Sequence, residues 1–188
     1  MESLSKELAR SFPQQLTDSA GILQRIVALL DAEVRVAIES SRQKKNHVVA
    51  VEFLPNDLLD HHRGPLRKIL AEVNTTFDVG CYNACAILIR RIIETLLIDA
   101  FEHSGIVDEI KTPEGEFQQL GVIVARATNN KALGLGRNAR NAIPQLKFFG
   151  DLGAHNRNAL VRESDLQRLH NDTRIAIEEL VHITTSHK

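Results

Sequence analysis

Residues 80–105 read GCYNACAILIRRIIETLLIDAFEHSG, and the periodicity of this stretch decides the fold. Between 81 and 101 the apolar residues fall on nearly every side of a 3.6-residue spiral: Ala84, Ile87, Leu88, Ile92 and Leu96, and also Cys85, Ile89, Ile93 and Leu97. A surface helix carries one apolar stripe, whereas a helix apolar all round belongs in the middle of a core. Asp78 is the expected N-cap, and Ser104-Gly105 the expected stop. Arg90, Arg91 and Glu94 interrupt the apolar run, which excludes a membrane span. Arg91 and Glu94 are three residues apart and share a face, where a charge largely removed from water needs a partner. They read either as an ion pair that orients the helix or as a polar set facing a cleft.

The totals agree with a helical core. In 188 residues, 43% are apolar but only 4% aromatic, and Trp is absent. Leu, Ile, Val and Ala must therefore fill the interior, which favours helix packing over a β-sandwich. Cys81 and Cys85 lie four apart on the central helix and read as small buried residues in a reducing compartment. No second Cys or His pair flanks them at ligand spacing, so no metal site is expected, and no motif calls for a cofactor. The opening MESLSKELARSF lacks the apolar segment of a signal peptide, so a cytoplasmic protein with no membrane partner is expected. Net charge is −1 but unevenly placed. Residues 1–125 carry 13 basic against 18 acidic residues, while 126–174 carry 9 against 4. Such a segment is either a local anion footprint or a solvated helix face.

Taken in order, residues 3–11 read as a short helix before Pro13, and 14–42 as a long amphipathic one. Leu16, Ala20, Leu23, Val27, Leu30, Val34 and Ala37 recur at alternating steps of four and three, the rhythm of a helix–helix seam. This N-terminal extension, residues 1–60, packs on its own domain or forms a homodimer seam. Residues 48–54 read as an extended connector capped by Pro55-Asn56-Asp57, since one short strand cannot stand alone. The bundle itself, 61–188, then has a helix from Pro65 to about 77, the central helix, and a helix from Thr112-Pro113 to about 128 with Phe117, Leu120, Gly121 and Val124 inward. A glycine-rich loop covers 129–138, and helices follow at about 142–154 and 165–185, the last with a Ser164/Gln167 capping box. The sum is an all-α, up-down helical bundle with a long-helix extension.

The richest chemistry lies in QLKFFGDLGAHNRNALVR, 145–162. Arg140, Lys147, Asp151 and His155 fall close to one helix face at steps of seven, four and four. Asp151 is spaced to orient the His155 imidazole at the helix end, with Lys147 and Arg157 near enough to act on a phosphodiester. A helix C-terminus with surface ion pairs explains the same residues. Gly150 and Gly153 cost helix stability, so a close approach by another backbone or a ligand is expected there. In ALGLGRNAR, 132–140, backbone amides with Arg137 and Arg140 are candidates to hold a phosphate. No P-loop Lys-Ser/Thr follows, which excludes a nucleotide fold of that kind.

CYNACAILIRRIIETLLIDAFE followed by LKFFGDLGAHNR resembles the uncharacterised bacterial helical domain of the HEPN clan, often fused to restriction subunits and other defence proteins. Its pattern is R-x-x-E on a central helix, then Gly-Asn/Asp-x-x-Ala-His before the last helix. Here these fall on Arg91, Glu94, Gly150, Asp151, Ala154 and His155, within residues 65–185. The resemblance implies an up-down bundle, commonly dimeric; catalytic members are metal-independent ribonucleases with an Arg and a His from each protomer at the dimer cleft. Those members place an Arg shortly upstream of the His, but here the nearest upstream base is Lys147. Arg42 ahead of His47 is the one formal match, outside the resembling region. The expectation is therefore a module that binds RNA, a nucleotide or a protein partner in a bacterial defence or toxin–antitoxin setting. The alternative is an endoribonuclease with His155 as acid–base, Asp151 orienting it, Lys147 or Arg157 on the phosphate, and Arg91 and Glu94 supporting from behind. It would attack through the RNA 2′-hydroxyl and leave a cyclic phosphate.

Overall fold

The computed structural model describes residues 52–60, 62 and 65–186. They form five α-helices: α1 (Leu66–Asp78), α2 (Tyr82–His103), α3 (Leu120–Asn129), α4 (Arg137–His155) and α5 (Glu163–Thr185). Two single 3-10 turns accompany them, Asn56–Leu59 ahead of α1 and Val107–Ile110 between α2 and α3. Among the described residues there is no strand, only an isolated bridge between Lys111 and Phe117. The class is all-α, as expected. The helices read at 3–11 and 14–42, the 16–37 seam and the Arg42–His47 pair lie outside the described residues.

The central helix is where its sequence put it. Cys85, Ala86, Ile89, Ile92, Ile93, Leu96, Leu97, Ala100 and Phe101 of α2 are all buried, and α2 packs against α1, α4 and α5 at once. An all-round apolar helix needs such neighbours on several sides. Its stop is a Schellman closure: Gly105 takes φ +71°, Ile106 N–H donates to Phe101 O, and Gly105 N–H to Glu102 O. The same closure ends α1, where Cys81 N–H donates to Thr76 O and Gly80 takes φ +76°. This corrects the expected N-cap. Asp78 is the last residue of α1, and Cys81 stands at the N-cap of α2.

Other boundaries shift for readable reasons. Thr112-Pro113-Glu114-Gly115 is a β-turn, with Gly115 N–H on Thr112 O, instead of a helix start; Pro at the second turn position suits either structure. The helix begins only at Leu120, leaving Phe117 exposed under the Lys111 ammonium, 5.7 Å from its ring, and Gly121 exposed as well. Helix α4 starts at Arg137 and runs straight through Pro144. A start near 142 would have put that proline in the first turn, where its missing N–H costs nothing. The cap of α5 is Arg162, whose N–H donates to Asp165 Oδ2 at 3.0 Å, and Gln167 instead reaches Glu163.

The compact unit begins at Glu52, ahead of the expected boundary at 60. Phe53, Leu54 and Leu59 are buried. The Asn74 amide on α1 accepts from Leu54 N–H at 2.9 Å and donates to Leu54 O at 2.8 Å. Phe53 stacks on Phe77 with ring centroids 4.4 Å apart. The described end of the connector, Phe53 and Leu54, is thus part of the core.

Candidate functional site

Two glycines let α4 lie close along α2. A Cβ on Gly150 would stand 2.6 Å from Arg90 Cδ, and one on Gly153 only 2.8 Å from the Asn83 carbonyl oxygen. Because Gly153 meets a residue nearer the start of α2 than Gly150 does, the two helices run antiparallel. The close approach expected from these glycines is therefore to a neighbouring helix. Asn83 then ties in the α4–α5 connection, its Oδ1 accepting from Val161 N–H at 2.8 Å.

At this crossing sits a charged cluster. Arg90 Nε donates to Asp151 Oδ1 at 2.9 Å, and Lys147 Nζ lies 2.5 Å from Asp151 Oδ2. Arg90 also lies 3.6 Å from Glu94. The partner of Glu94 is Arg90 and not Arg91, whose side chain is exposed. Partial burial alone would push the Asp151 carboxyl up, but the Lys147 ammonium and the Arg90 guanidinium outweigh it and hold it below the usual carboxylate range. Two cations facing two carboxylates make the cluster formally neutral. It joins helices and offers no net charge to an outside anion.

His155 ends α4 and is exposed, as are Ala154 and Arg157. Both Asp151 oxygens are committed to Arg90 and Lys147, and no hydrogen bond joins Asp151 to His155. The four-residue spacing between them is met on the helix; the expected orienting contact is not made. At the other end of α4, Arg137 is exposed and Arg140 half-buried with its Nε unpartnered. The glycine loop's amide is already taken: Gly136 N–H donates to Glu179 Oε2 of α5 at 2.7 Å. An internal carboxylate thus occupies the start of α4 where a phosphate was expected. Cys85 is buried, and burial pushes its thiol up to about 12, partly offset by the Thr76 hydroxyl. Cys81, expected to be buried too, is exposed.

Sequence reasoning passed over the outer face of α4. Phe148 is 59% exposed and meets Phe149 edge-on, with centroids 5.2 Å apart. The Arg168 guanidinium of α5 lies 5.9 Å from the Phe149 ring. The helical spacing that puts Ile143, Leu146, Phe149 and Gly153 on one face leaves Phe148 off it, so the signal is present in the sequence. Among the described residues, no group of three His, Cys, Asp or Glu is placed to hold a metal ion, and no helix is long and apolar enough to cross a membrane. Comparisons with protein-family models, curated proteins and solved structures find no match to this chain.

Proposed function

We propose that this chain is an HEPN-like helical protein that binds RNA at the corner formed by α4 and α5, in a bacterial defence or toxin–antitoxin setting. A cytoplasmic homodimer without a complete catalytic motif belongs to the same reading. The observation that carries it is exposed Phe148 on α4, followed along the chain by exposed His155 and Arg157, with Arg168 of α5 lying over the adjacent Phe149. Aromatic rings interleaved with bases suit a nucleic-acid strand, since the rings stack on nucleobases while the bases follow the phosphates. The test is a salt titration of RNA affinity. Log affinity should fall linearly with log salt, by roughly 0.7 per phosphate contacted on a single strand. Arg157→Glu with Arg168→Glu should flatten that slope; affinity indifferent to salt and to both substitutions overturns the proposal.

The endoribonuclease alternative draws on one observation, that His155 and Arg157 are both open to solvent at the end of α4. It is weakened by the commitment of Asp151 to Arg90 and Lys147, which leaves the imidazole without its orienting carboxylate.

A further inference from the structure

We infer that Phe148 is a stacking platform for a nucleobase, and that the RNA crossing α4 is unpaired there; this rests on the RNA-binding reading above. The outer strip of α4 presents Asn141, Gln145, Phe148 and His155 to solvent, with Leu152 half-buried between the last two. None of these is acidic. Asp151, on the flank of the strip, spends its charge on Arg90 and Lys147. A phosphate chain laid along the strip therefore meets no free carboxylate from it, and reaches His155 two turns beyond Phe148, about 10 Å along the axis at the usual helical rise.

The two neighbouring rings have different duties. Phe149 packs against the core with Arg168 over it. Phe148 meets Phe149 edge-on and keeps more than half of its surface in water. Among the described residues the other exposed phenylalanine, Phe117, already has the Lys111 ammonium above it. In a duplex each base face is covered by the next base pair, so a protruding ring can stack only where the strand is single. Gln145 and Asn141, one and two turns before Phe148, continue the strip with neutral amides, and the Gln145 Oε1 can accept from the edge of a base seated on the ring.

The test compares an unstructured RNA with the same strand annealed to its complement, at one salt concentration, using the full chain, Phe148→Leu and Phe148→Tyr. The expected result is about tenfold tighter binding of the single strand by the wild type. Phe148→Leu should lose roughly that factor on the single strand alone, with the salt slope unchanged, and Phe148→Tyr should keep it. Equal affinity for both forms, untouched by Phe148→Leu, overturns stacking while the RNA reading stands. Loss of affinity for both forms together with a change in oligomeric size on light scattering assigns the ring to a protein interface and also overturns it. Failure to bind either form overturns both readings.

Discussion

Gly150 of α4 and Arg90 of α2 occupy one space: the arginine's stem fills the room a side chain at 150 would need. The crossing is close because position 150 has no Cβ, and Arg90 emerges beside α4 already aimed at Asp151.

Gly150→Ala should therefore destabilise the protein although Ala is the better helix former. Propensity favours Ala by about 1 kcal/mol, but forcing a methyl into a filled contact costs about 1–3 kcal/mol. Gly153→Ala should behave alike, its obstacle being the Asn83 backbone. Gly121→Ala should be neutral or stabilising, since its added Cβ would sit 3.5 Å from Lys147 Cε, an ordinary contact. Urea denaturation of the three variants checks the order, and a stabilising Gly150→Ala would refute the tight crossing.

Asp151 gives a pH signature. Its folded pKa is depressed below 3.8, so its contribution to stability is present above that value and disappears as pH falls through the lower folded value. Because the carboxylate is 34% exposed, solvent screening limits the effect to roughly 1 kcal/mol. Asp151→Asn should be less stable than wild type at pH 7, and the gap should narrow at pH 3. A gap that widens with acid would contradict the pairing.

The two thiols should differ. An aromatic disulfide reagent at neutral pH should titrate Cys81 in the native protein and reach Cys85 only on unfolding, because Cys85 is buried with its pKa pushed up to about 12. Two fast-reacting native thiols would show that the packing of α2 on its neighbours is wrong.

Labelled RNA incubated in EDTA should stay intact with wild type and with His155→Ala alike. Cleavage by wild type alone, leaving cyclic-phosphate ends, would make the endoribonuclease alternative the correct one.

How far the fold was readable depends on how many structures a residue pattern admits. Positions 81–101 were apolar on every side, and Gly105 closes the helix after them, so the central helix was legible. Pro113 fits either a turn or a first helical turn, and Pro144 reads as a first-turn residue yet lies inside α4; tertiary packing chose in both cases. The ion pair was misassigned by one residue for a similar reason. Glu94 is a surface neighbour of both Arg90 and Arg91 on an isolated helix, and only the arrival of Gly150 and Asp151 beside Arg90 separates them. His155 was read from spacing to Asp151, which cannot show that a carboxylate has been claimed from across the interface.

In an all-helical body, the Asn74 amide treats Leu54 as a neighbouring strand would, answering its N–H and its C=O together. One side chain thereby replaces a sheet edge and lets a stretch of irregular chain lie in the dry interior without orphaned peptide groups. Any shortened version of this protein that starts at the first helix would strip Phe53, Leu54 and Leu59 from the interior and leave α1 with a bare apolar flank. The smallest useful fragment starts at Glu52.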